Sequence, residues 1–214
     1  KAVLVDGKIA APSVFHSSSL RQTGAVPPGP DRLHVEGAAD QPYGIPNFRI
    51  TGHLTDLSVP LGFWRSVGNS FNGFFHDTFL DEMAHAAGRD PLEFRLEMMR
   101  NEHAPSAGCL EAVAKMSGWT GKTPEGVGRG VALTYNFGTP VAQVIEVVDE
   151  DGSIRIAKAW IACDMGTALD RGNIGQQRGG DIVAVDVGDF FSHVGTDART
   201  TVTKVPGEGK RVVV

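Results

Sequence analysis

Residues 61–70 read Leu61-Gly62-Phe63-Trp64-Arg65-Ser66-Val67-Gly68-Asn69-Ser70. Two bulky aromatics, an arginine and then small residues opening a helix form a coherent cradle for an anion. Backbone N–H groups at a helix start point at the ligand, small side chains permit close approach, and Arg65 adds a planar fork. The same residues also suit an ordinary tight turn with a packed Trp64, and spacing alone leaves both readings open. Two glycine patterns are weaker. Gly126-Val127-Gly128-Arg129-Gly130 leads into a strand and lacks the helix start that lets such loops hold phosphate. Gly207-Glu208-Gly209-Lys210 lacks the rest of a P-loop. Both are expected to be turns.

Metal and nucleophile signals fare no better. There are seven histidines. His76 and His85 sit nine apart on one expected helix, so they face opposite sides and cannot share an ion. Glu82 and His85 have the i, i+3 spacing of a di-iron ligand pair, but no second pair completes such a site. The two cysteines, Cys109 and Cys163, cannot make a disulfide framework or a thiolate zinc site within the chain. Cys163, at the end of an expected strand, is read as buried and inert, with a reactive thiol as the minor alternative. No nucleophile elbow of the G-x-S-x-G type is present.

The elements that must position these residues follow from periodicity. Residues 1–10 are expected to form a hairpin turning at Asp6-Gly7. Residues 11–47 carry serine and proline runs without a period and are expected to be a long loop. Phe48–Leu54 reads as a strand. Phe71, Phe75, Phe79 and Met83 recur every four residues and predict a helix with one apolar stripe, ending at Gly88. A second helix starts at Asp90-Pro91-Leu92-Glu93, where Asp90 caps and Pro91 suits the first turn. A third is expected over about 107–117. From 127 on the period becomes two, with strands through Val131 and Leu133, over Val141–Val148 and over Ile154–Ala162. The last two flank the polar loop Asp149–Gly152. Segregated helices and strands predict an α+β fold with a helical middle and an antiparallel C-terminal sheet. The expected division is 1–124 (hairpin, loop, three helices) and 125–214 (β-rich).

Composition narrows the function. The chain has 214 residues, 41% hydrophobic and 21% charged, which suits a globular domain. A net charge of -5 gives no basic footprint for nucleic acid. No apolar run approaches the ~20 residues of a membrane helix. The 27 glycines and 12 prolines exclude a simple helical bundle. The abrupt start at Lys1, in a strand-like run, is expected of a piece of a larger protein or of a processed terminus.

The stretch Val59–Asn72, continued by Phe79-Leu80-Asp81-Glu82 and by Ala84–Arg95, resembles the molybdopterin-binding large subunit of the xanthine dehydrogenase/aldehyde oxidase family. It is most similar to the isoquinoline 1-oxidoreductase beta-subunit type. The likeness extends to Val35–Tyr43, Ile45-Pro46-Asn47, Gly128–Ala132, Val141–Val144 and Asp164 with Gly166, and fades after residue 180. The resemblance implies a molybdenum–molybdopterin cytosine dinucleotide cofactor. It implies oxidation of an aldehyde or N-heteroaromatic ring with oxygen from water. Electrons would pass to a separate small subunit carrying 2Fe–2S clusters. It implies that Arg65, Ser66, Val67 and Gly68 approach the cofactor. Gln176, in Gln176-Gln177-Arg178-Gly179-Gly180, resembles a second cofactor-binding segment.

Departures from the family pattern are equally specific. Asp181–Val187 reads as a strand where the family has a small-residue helix. The G-Q-G-x-x-T-type pterin segment is absent. Glu208 stands in the nearest look-alike of the family's catalytic-glutamate setting but lacks the prolines that follow it. The chain is therefore expected to hold part of a cofactor site without the catalytic base, and to be inert alone. Completing partners would be the remainder of the large subunit and the iron–sulfur subunit. The alternative is a non-catalytic interaction module or remnant that keeps the packing of this domain. Substrate and compartment, bacterial cytoplasm or periplasm, are left open.

Overall fold

A computed structural model describes residues 1–167 together with the two-residue strands Thr203–Lys204 and Val212–Val213. Strand β1 (Leu4–Ala11) leads to helix α1 (Val14–Thr23) and a single 3-10 turn at Arg32–His34. Strand β2 (Asn47–Leu54) follows, then helices α2 (Asn69–Ala86), α3 (Pro91–Met99) and α4 (Ala104–Ser117). Strands β3 (Val127–Asn136), β4 (Thr139–Glu150) and β5 (Ser153–Cys163) form an antiparallel sheet in that order. The architecture is α+β, as the periodicity predicts.

The sheet's tight turns follow from their residues. Phe137-Gly138 and Asp151-Gly152 both lie in the left-handed region, the conformation that suits two-residue hairpins. Asp90 caps α3 by accepting from Glu93 N–H at 3.0 Å, and Pro91 occupies its first turn. Helix α4 begins at Ala104, earlier than expected, because the His103 side chain accepts from Ser106 N–H. Leu80, Leu96, Met99, Leu110 and Val113 from the helices meet Val131, Leu133, Val144 and Ala162 of the sheet in one core.

Two expectations are corrected. The first ten residues are not a hairpin. Asp6-Gly7 runs straight through β1, which pairs in parallel with β2, placing Asp6 beside Arg49 and Gly7 beside Ile50. Asp6 forms an ion pair with Arg49, and a Cβ at Gly7 would stand 2.6 Å from Ile50 Cδ1. Glycine here makes room for a neighbour's side chain instead of turning the chain.

Residues 11–47 are likewise not one irregular loop. Parallel strands need a crossover, and α1 supplies it, capped by Ser13 accepting from His16 N–H at 2.8 Å and closed by left-handed Gly24.

Helix α2 forms where the period predicts it, with its stripe present. Its phenylalanine stripe is not the core face. Phe71, Phe74, Phe75 and Phe79 are 37–61% exposed, while Asn69, Asn72, Gly73, His76, Asp77, Leu80 and Ala84 are buried. Period establishes that a stripe exists; long-range partners decide which way it faces.

Candidate functional site

The turn before α2 is built from both sides. Upstream, Leu61 N–H donates to Ser17 Oγ at 2.9 Å, and Arg21 of α1 donates to the Leu61 carbonyl. The turn itself is closed by Val67 N–H to Trp64 O at 3.2 Å and Asn69 N–H to Ser66 O at 2.8 Å. Ser70 Oγ donates back to the Val67 carbonyl at 2.7 Å. Ser66 and Val67 carry φ of 63° and 46°, both in the left-handed region. For a β-branched residue such as Val67 this is a true outlier. Such backbone costs on the order of 1–3 kcal/mol and persists only where the surroundings over-determine it.

Residues 33–40 provide those surroundings. Gly68 is buried at the start of α2, where a Cβ would stand 2.1 Å from the Leu33 carbonyl. Gly37, at φ +84°, is pressed so closely on Asn69 that a Cβ would stand 2.6 Å from its Cα. Asn72 Nδ2 donates to the carbonyls of His34 at 2.9 Å and Glu36 at 2.8 Å. The Glu36 carboxylate accepts the Gly68 N–H. Burial nevertheless raises its pKa, aided by Asp40, against the lowering effect of that bond. Asn69 Nδ2 reaches Asn136 Oδ1 at 2.9 Å, tying the turn to the end of β3.

The anchoring is polar and incompletely satisfied. Among the described residues, His34 Nε2, Glu36 Oε2, Asn69 Oδ1, Asn72 Oδ1 and His76 Nε2 are buried without a hydrogen-bond partner. His34 is held below its ordinary pKa by burial. His76, stacked on Tyr43 and edge-on to Phe48, falls to about 4, through burial first and the nearby Arg95 charge second.

Below this layer lies a buried ionic hub. Arg95, wholly buried, donates to Asp77 Oδ2 at 2.8 Å, to the Asp77 carbonyl at 2.8 Å and to the Pro91 carbonyl at 3.0 Å. It also pairs with Asp81. Tyr43 Oη donates to Asp77 Oδ1 at 3.0 Å, and Leu133 N–H to Asp77 Oδ2 at 3.1 Å. Burial alone would lower the Arg95 pKa; Asp77, Tyr43 and Asp81 outweigh it and hold the guanidinium charged.

Of the residues expected at the site, Arg65 and Ser66 are exposed, Val67 is half-buried and Gly68 is buried. Trp64 is 77% exposed, so the turn is not sealed by a packed indole. Gln176, Glu208 and the Gly207–Lys210 pattern lie outside the described residues. Gly126 makes a left-handed turn and Gly128 and Gly130 enter β3, as expected. His76 and His85 point apart, one buried and one exposed. Both cysteines are buried. A cavity of about 110 Å³ lies elsewhere, lined by His85, Pro91, Trp119, Lys122 and Arg129. Sequence reasoning missed Glu36, Gly37, Asn72 and Arg95 as supports of the turn. All four fall within the stretches that carry the family resemblance, but no local period marks them.

No protein-family model matches the chain. Three curated proteins are similar to part of it. The beta subunit of isoquinoline 1-oxidoreductase from Brevundimonas diminuta is 27% identical over 146 residues, covering 66% of this chain and 19% of that protein. The B subunit of nicotinate dehydrogenase from Pseudomonas putida is 27% identical over 185 residues, covering 77% and 15%. A membrane-bound aldehyde dehydrogenase of Gluconacetobacter polyoxogenes, whose name carries pyrroloquinoline quinone, is 32% identical over 165 residues, covering 65% and 21%. The chain is a partial relative of these oxidoreductases. It spans between 15% and 21% of their length. As named, they act on N-heteroaromatic compounds or aldehydes, and two are subunits. Among the described residues, no helix is long and apolar enough to cross a membrane.

Proposed function

We propose that this chain is part of the cofactor-binding subunit of a molybdenum hydroxylase acting on aldehydes or N-heteroaromatic rings. The observation that carries the reading is the turn at 64–68. It is exposed at Trp64, Arg65 and Ser66, left-handed at two non-glycine residues, and clamped from behind by residues 33–40. A turn held rigid yet left open fits one wall of a ligand site better than a packed structural turn. The alternative of a closed interaction module calls for this turn to be covered by the domain's own side chains.

The fit is to part of the cofactor only. Arg65 would present its cationic fork to an anionic group of molybdopterin cytosine dinucleotide, and Ser66 its hydroxyl. Val67 and Gly68 set the path of the backbone that approaches it, and Gln176 would add a further hydrogen bond. When bound, molybdenum supplies the redox chemistry, with water as the oxygen source. This chain's residues bind and orient; no catalytic base is assigned to it. The remaining walls, the base and the electron path would come from the rest of a relative-length subunit and from an iron–sulfur subunit, leaving this chain inert alone.

The test is chemical analysis of the assembly isolated from the cells that make it. Molybdenum and a cytosine nucleotide, both in constant ratio to this chain, are expected. Absence of both, or pyrroloquinoline quinone in their place, would overturn the reading.

A further inference from the structure

The outward face of α2 carries Phe71, Phe74, Phe75 and Phe79, the i, i+3, i+4, i+8 pattern of a buried stripe, yet they are 37%, 61%, 57% and 47% exposed. The rings touch one another. Centroids are 6.4 Å apart for Phe71 and Phe75, and 5.8 Å for Phe74 and Phe75. With full burial near 200 Å² per ring, the four leave on the order of 400 Å² of aromatic surface bare. Phe63, 50% exposed, and Trp64, 77% exposed, lie in the turn that leads into this helix. The largest apolar patch on a lone globular protein is commonly of about this size and is often functional; this one equals about half of the ~800 Å² that one side of a standard interface buries. Phenylalanine and tryptophan are also the residues enriched at interface centres.

We infer that this aromatic face is the seat on which the remainder of a relative-length subunit packs. The inference rests on the reading under Proposed function and names the surface through which the partial site is completed. Two observations select that occupant. The relatives are about five to seven times as long as the span they share with this chain, so they contain ample chain to cover such a face. The aromatic patch is also continuous in sequence with the 64–68 turn, so polypeptide seated on α2 comes to rest beside Arg65 and supplies the missing wall.

Hydroxyl-radical footprinting of the native assembly tests this, with each phenylalanine read by peptide mass. Phe137, 75% exposed in the β3–β4 turn, serves as the internal reference. Phe74 and Phe75 should oxidise about fivefold more slowly than Phe137, though all three are accessible in the chain itself. Equal rates would overturn the inference. So would a purified chain that sediments as a dimer with the same residues protected, since the occupant would then be a second copy. Molybdenum analysis of the same sample separates the two claims. A protected stripe without molybdenum sinks the cofactor reading, while molybdenum with an exposed stripe sinks only the interface.

Discussion

Helix α2 has two faces that invert the usual rule. Its inner face is polar, with Asn69, Asn72, His76 and Asp77 buried; its outer face is aromatic, with four partly bare phenylalanines. Apolar burial on this inner face is confined to Leu80 and Ala84, farther along the helix, and its first half is polar. It is held by directed bonds: Asn72 to the backbone of 34–36, Tyr43 and Arg95 to Asp77, and Asp77 onward to β3. Directed bonds fix position and angle, whereas apolar packing tolerates rearrangement. A helix whose first turn must present a strained loop in one orientation is well served by such an inner face. The outer face has no such directed partners among the described residues and stays partly bare.

The comparison breaks most visibly at Arg95. Replacing it by alanine leaves Asp77 buried with its counter-charge removed, and should cost about 3–5 kcal/mol. Urea unfolding followed by circular dichroism would show a large drop in midpoint. A variant within 1 kcal/mol of the parent, on the order of a routine surface change, would mean that the hub does not anchor the helix.

A smaller effect comes from His76. Its folded-state pKa of about 4 lies below the ordinary 6.5, so the unfolded chain binds the extra proton first. The stability contributed is complete above 6.5 and is lost as pH falls toward 4, up to about 3 kcal/mol. His76→Phe, which keeps a ring against Tyr43, should flatten that part of the stability–pH curve. An unchanged slope would place His76 in contact with water.

The smallest effect belongs to the outer face. Phe75→Ser should shift the stability of the isolated chain by no more than about 0.5 kcal/mol, because the ring covers little of this domain's own core. A loss of several kcal/mol would mean that the stripe faces inward after all.

Legibility in the sequence follows the range of the interactions involved. The capped start of α3 at Asp90-Pro91, the Asp151-Gly152 turn and the alternation of β4 are local, and all appear where the residues predict them. Gly7 misleads because its role is set by Ile50, more than forty positions along the chain. Helix α1 is invisible to periodicity because its face is polar and only Ser18 is buried. The orientation of α2 depends on Tyr43, Arg95 and the 34–36 carbonyls, none of which a helical period can report. The site follows the same division. The residues of the turn at 64–68 can be named from types and spacing together with resemblance, but the clamp behind them, Glu36, Gly37 and Asn72, emerges only from the packing.

The most direct test of the account is the molybdenum-to-protein ratio of the native assembly carrying Arg65→Ala, measured beside the parent. Arg65 is exposed, so the fold should be intact by circular dichroism while the ratio falls about tenfold, as loss of a charge-assisted contact to the cofactor implies. A variant that keeps the parent's ratio and turnover would contradict the placement of the cofactor at this turn.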